Sequence, residues 1–129
     1  MHRFALPVAL LAASLGLGAC SSSRTGPDNA EATFNKMTGD LTTQAESTLD
    51  HAYEATRQAM EELEFRLVDA ETAKDALQGH VVARDAADNK INVRLNRVSD
   101  NVTGIEIDLG AFSDEAKARM ILDKIKENL

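Results

Sequence analysis

The stretch KINVRLNRVSDNVTGIEIDLG, Lys90–Gly110, alternates with a period of two on either side of a polar break. Ile91, Val93 and Leu95 fall on one side of an extended chain, and Asn92, Arg94 and Asn96 fall on the other. Ile105, Ile107 and Leu109 repeat the pattern against Glu106 and Asp108. Successive side chains of a strand point to opposite faces, so the stretch predicts two strands, each with one apolar and one polar face, joined by the turn residues Ser99, Asp100 and Asn101. One-sided burial of this kind belongs to an antiparallel sheet covered on one face. Gly104 inside the second strand predicts a bulge or a close backbone approach.

Toward the N-terminus the same period marks GHVVARDA (Gly79–Ala86) and FRLVDA (Phe65–Ala70), separated by the turn-rich ETAKDALQ and ADN. LTTQA, Leu41–Ala45, reads as a short first strand. Between these strands the period changes. In Ser47–Phe65, Leu49, Ala52, Tyr53, Thr56, Met60 and Leu63 recur at steps of three and four and predict a helix, with Ser47 as its cap and Asp50 reaching back to it. A second helix is predicted over SDEAKARMILDKIKENL, Ser113–Leu129, with Ser113 as cap and Ala118, Ile121, Leu122, Ile125 and Leu129 as its apolar stripe. Asp114 and Glu115 suit the positive end of that helix, and Lys124 and Lys126 the negative end. The sum is an α+β domain over residues 40–129, an antiparallel sheet of about four to five strands with two helices on one face.

Upstream of the domain, MHRFALPVALLAASLGLGAC has a short basic start, an apolar run from Phe4 to Leu17, and then small residues, the order of a secretory signal. The run is shorter than the ~20 residues that span a bilayer as a helix. Leu17, Gly18, Ala19 and Cys20 resemble the bacterial lipobox, in which cleavage between positions equivalent to Ala19 and Cys20 leaves a diacylglycerol-modified cysteine as the new N-terminus. This accounts for the chain's one cysteine. Each buried CH₂ contributes about 0.8 kcal/mol, and two or more acyl chains give stable attachment. Residues 1–19 are therefore expected to be a lipoprotein signal peptide, and residues 20–39 a lipidated N-terminus with a flexible tether. Ser21 in the following position resembles the sorting pattern of outer-membrane cargo. The segment SSSRTGPDNAEATFNKMTGD, Ser21–Asp40, shows no apolar period, and Phe34 and Met37 read there as isolated apolar residues of the tether. About 18 flexible residues span roughly 20 to 25 Å.

Charge narrows the partners. The chain has 14 Lys plus Arg against 21 Asp plus Glu. Removing residues 1–19 takes Arg3 and leaves 13 against 21, a formal charge of −8. Nucleic-acid binding draws on Lys and Arg neutralising phosphates, so no nucleic-acid partner is expected. The same charge disfavours docking on anionic headgroups, which leaves the N-terminal lipid as the membrane contact. A lone cysteine allows no internal disulfide.

The candidates for chemistry each have a plainer role. His51 lies near Asp50 and Glu54, but two or three such groups at helical spacing fall short of a metal site, and HExxH is absent. A solvated helix face is expected for His51, and a strand position without a partner for His80. RDAADNK, Arg84–Lys90, concentrates Asp85, Asp88 and Asn89 but lacks the alternating ligands and final Glu of a calcium loop, so it reads as a hairpin turn. Ser113 has no neighbouring His to activate it and reads as a helix cap. On the polar sheet face, Arg94 is expected to pair across strands with Glu106 or Asp108 in a solvated setting, although such a face or a free edge can also receive a protein. Neither a metal nor a cofactor is expected, and no catalytic residues are assigned.

In its core spacing the chain resembles a family of small bacterial lipoproteins catalogued as a domain of unknown function. The likeness covers residues 41–129 and rests on LDHAYEATRQAMEELEF (Leu49–Phe65) and SDNVTGIEIDLGAFSDEAKARMILDKIKENL (Ser99–Leu129), with the lipobox and tether beside them. The resemblance implies an envelope lipoprotein with this α+β arrangement and supplies no reaction. The family pattern commonly has Gly between the first helix's last Leu and the following Phe, where this chain has Glu64, a departure that disfavours the usual left-handed helix ending. The expected function is a non-enzymatic, membrane-tethered module facing the periplasm, placed at the outer membrane by its sorting residue, that serves an envelope protein partner. The alternative is a carrier or sensor holding a small apolar ligand between helices and sheet.

Overall fold

The structure is a computed structural model and describes residues 31–110 and 114–129. The signal peptide, the cleavage pair Ala19 and Cys20, and Ser113 lie outside the described residues. Seven strands form one antiparallel sheet: β1 (Thr33–Asn35), β2 (Asp40–Ala45), β3 (Arg66–Leu67), β4 (Ala73–Lys74), β5 (Gln78–Arg84), β6 (Lys90–Ser99) and β7 (Val102–Asp108). Two helices, α1 (Leu49–Glu62) and α2 (Glu115–Glu127), complete an α+β domain. The sheet order is β1-β2-β7-β6-β5-β3, with β4 also on β5. The hairpin of β6 and β7 is thus the centre of the sheet, and its alternation sets both faces.

The strand number exceeds the expected four to five for two local reasons. First, Thr33–Asn35 pairs with β2 in the register Thr33↔Thr42, Phe34↔Leu41, Asn35↔Asp40. Phe34 packs against the core while Met37 in the turn is 95% exposed. Thr33–Asn35 thus joins the sheet, and of the two apolar residues read as isolated, Phe34 packs on the core and Met37 stays exposed. Second, the predicted strand Phe65–Ala70 is short. After Leu67 the chain makes a one-turn 3₁₀ helix at Asp69–Glu71 and returns to β5 as β4. The Thr72 hydroxyl bridges the gap, accepting from Val82 N at 3.1 Å and donating to Val68 O at 2.8 Å.

Both helices lie on one face of the sheet. The buried residues Leu41, Val81, Ile91, Val93, Leu95, Ile105 and Ile107 meet Met60 of α1 and Ala118, Ile121 and Ile125 of α2 in one core. A Cβ added to Gly79 would lie 3.1 Å from the Tyr53 ring, so the bare backbone lets α1 rest on β5. Gly104 follows the close-approach expectation, because an added Cβ would lie 2.7 Å from Asn96 Oδ1. The sheet's bulge is elsewhere, between Arg97 and Ser99.

The helix ends correct the sequence reading in detail. The cap of α1 is Thr48, whose hydroxyl accepts from His51 N at 3.1 Å. Ser47 is buried instead, and its carbonyl accepts from Thr103 Oγ1 at 2.9 Å. At the other end Glu64 takes the left-handed conformation, φ 62°, where glycine is usual. Phe65 N then donates to Met60 O and Glu64 N to Glu61 O, both at 2.9 Å. The left-handed ending is therefore retained despite the glutamate. Asp114 caps α2 by accepting from Ala116 N and Lys117 N at 3.0 and 3.2 Å. Leu129, assigned to the apolar stripe, is 38% exposed.

Candidate functional site

The face of the sheet turned away from the helices carries polar side chains in cross-strand rows. Register places Thr42, Glu106, Arg94 and His80 in one cross-strand row, and Asp40, Asp108, Asn92 and Val82 in the next. Arg94 forms a salt bridge with Glu106 and lies 3.5 Å from Asp108 Oδ2. The cross-strand pairing expected from the sequence is thus present, with both acids rather than one. Burial alone would lower the Arg94 pKa, but Glu106, Asp108 and Asp40 outweigh it and hold the guanidinium above its ordinary value. This cation is fixed and permanently charged, which suits it to orienting carboxylates and not to proton transfer. Asn92 Oδ1, also on this face, is buried without a hydrogen-bond partner among the described residues.

The histidines are placed far apart in role. His51 Nε2 lies 2.9 Å from the Leu129 carbonyl oxygen, so the exposed ring ties the start of α1 to the end of α2. Asp50, a suggested neighbour for a metal, instead forms a 2.6 Å ion pair with Lys74. His80 stands half-buried beside Arg94 without joining its ion pairs. Among the described residues, no group of three His, Cys, Asp or Glu side chains converges as metal ligands would.

In the β5–β6 turn, Asp85 has its oxygens committed to donors. Oδ1 accepts from Ala87 N and Asn89 N at 2.9 Å each, while Oδ2 accepts from Asn89 Nδ2 at 3.2 Å and from Lys117 Nζ. Such an aspartate organises a turn and has little capacity left for a cation. The Lys117 hydrogen bond, then the Asn89 amide, hold its carboxyl well below the usual range. Lys117 Nζ also stands 5.6 Å from the centre of the Phe65 ring. One lysine therefore joins the first turn of α2, the exit of α1 and the β5–β6 turn. Sequence reading missed this cluster, since Lys117 lies 32 residues from Asp85 and no periodic signal links them.

Between helices and sheet, Leu41, Met60, Ile105, Ile107, Ile121 and Ile125 are at most 2% exposed and pack against one another. A surface hollow of about 490 Å³ lies beside the start of α1, and its charged lining residues are already paired, Lys74 with Asp50 and Arg97 with Asp100. No helix among the described residues is long and apolar enough to cross a membrane.

A comparison with curated proteins finds no match. The family model described as protein of unknown function, DUF3568, matches residues 4–128, and the chain belongs to that family.

Proposed function

We propose that this protein is a lipid-anchored module of the bacterial cell envelope that faces the periplasm and serves a protein partner without catalysing a reaction. The observation that carries the proposal is Leu17–Cys20, a lipobox-like tetrad ending in the chain's one cysteine directly after an apolar run. Acyl chains on Cys20 would supply the membrane affinity that an acidic surface cannot. The Ser21 position favours the outer membrane. The domain's architecture is consistent with this division of labour, because among the described residues the core draws on Ala32, Phe34 and the elements that follow. The filled interface between helices and sheet weighs against a carrier of small apolar ligands, which needs a largely preformed cavity.

The decisive experiment is mass spectrometry of the native chain. Cleavage before Cys20 with a diacylglycerol-modified terminus is expected, and Cys20→Ser should leave an unlipidated precursor. A mature chain with a free thiol would defeat the anchor. Crosslinking in intact cells should then capture a specific envelope protein, whereas a copurifying apolar molecule in the native mass spectrum would favour the carrier.

A further inference from the structure

β1 and β2 are held unequally. β2 pairs with β7 at six positions, Asp40↔Asp108 through Ala45↔Thr103, and its Leu41 and Ala45 are 1% and 3% exposed. Among the described residues β1 pairs at three positions, all on β2. Its one large apolar side chain, Phe34, is only partly buried at the margin of the core. The turn between them closes locally, with Asn35 Oδ1 accepting from Met37 N at 2.8 Å and Gly39 N donating to Asn35 O at 2.7 Å. Removing β1 would thus leave the β2–β7 pairing and the bulk of the core in place.

From these contacts we infer that β1 is a releasable cover over the outer edge of β2, and that the uncovered edge accepts an extended segment of a partner protein. The chain enters β1 at Thr33, the end of the pair farthest from the turn. A pull on Thr33 directed away from β2 therefore separates Thr33↔Thr42 first and the other pairs in succession. Release exposes backbone donors and acceptors along Asp40–Thr42, the requirement for strand addition. It also vacates the place of Phe34 opposite Leu41, so the incoming segment carries an aromatic or large aliphatic residue at that register. The inference rests on the anchored reading only for the source of the pull; release and acceptance belong to the domain itself.

The test uses the full chain carrying Cys20→Ser, so that lipidation plays no part. Amide exchange followed by NMR should show β1 opening locally, with exchange about 100-fold or more faster than in β6 and β7 and nearly independent of low urea. Thr33→Cys with Thr42→Cys, oxidised, should abolish that opening. A synthetic peptide of residues 31–38, EATFNKMT, should bind a Phe34→Ala chain and slow exchange at the β2 edge, and should leave the crosslinked chain unchanged. Protection of β1 equal to that of Ile105–Ile107 would overturn the release. A loosened β1 without peptide uptake by Phe34→Ala would overturn the accepting edge. The anchored reading is decided separately, by the mass of the native N-terminus.

Discussion

On β7, Ile105 and Ile107 face the helices and are 2% and 0% exposed, while Glu106 and Asp108 on the same strand face away and keep 33% and 28% of their side-chain surface. The helix-facing set is held by exclusion of water and dense packing, which gain with every buried atom. The other set is held by ions around Arg94 that solvent still reaches, where each interaction is screened. One strand therefore spends its two faces differently: the first specifies the fold, and the second is free to vary without unfolding it.

The contrast is sharpest in truncation. Ile107→Ala should destabilise the domain by about 3 kcal/mol through lost burial and a residual cavity, read as a lower urea midpoint. A cost near that of a surface substitution would mean that the core is far looser than its burial implies. Next comes Thr103→Val, which removes the buried hydrogen bond to the Ser47 carbonyl and should cost about 1 to 2 kcal/mol. Because this bond ties the entry of α1 to β7, it tests whether the covered face depends on a polar contact as well as on packing.

The seam between α2 and the β5–β6 turn should respond to acid. Lys117 and Asn89 depress the Asp85 pKa, and Lys90 depresses that of Glu71. A carboxyl with a lowered folded-state pKa contributes stability that is present above its unfolded pKa and lost as pH falls through the folded one. The urea midpoint should therefore fall as pH drops below about 4, and Lys117→Met should flatten that fall while lowering the midpoint near neutrality. An unchanged acid profile in Lys117→Met would remove the lysine from its proposed role.

Glu64→Gly should raise stability by about 0.5 to 1 kcal/mol, because a left-handed position strains any residue with a Cβ. A loss instead would show that the glutamate side chain contributes more than its backbone costs. At the small end, Arg94→Met on the uncovered face should change stability by less than about 1 kcal/mol, in contrast with Ile107→Ala one strand away. A cost comparable with the core substitution would erase the difference between the faces.

Periodicity made the long elements legible. The steps of three and four in Leu49–Met60 and the alternation through Ile105 and Ile107 both report a buried face, and that face survives in the fold. What periodicity cannot report is a short element defined by its neighbour. Thr33–Asn35 is a strand because β2 offers an edge, and Ala73–Lys74 because β5 does. The caps moved by one residue, from Ser47 to Thr48 and from Ser113 to Asp114, since adjacent hydroxyls and carboxyls satisfy the same local pattern. The Arg94 row was legible because its partners face one another across the central hairpin, whereas the Lys117–Asp85 contact depends on where α2 begins over the sheet.

The interruption at Thr72 has a consequence for molecules crowded at a surface. β5 spans Gln78–Arg84, long enough to template another chain, yet its outer side is divided among two residues of β3, the Val68 amide and Thr72 hydroxyl at Val82, and two residues of β4. A continuous open edge of that length is a common starting point for aggregation. Copies confined to a membrane plane, as proposed, would meet repeatedly in similar orientations. Broken into such short pieces, this side offers them no continuous register along which to zip together.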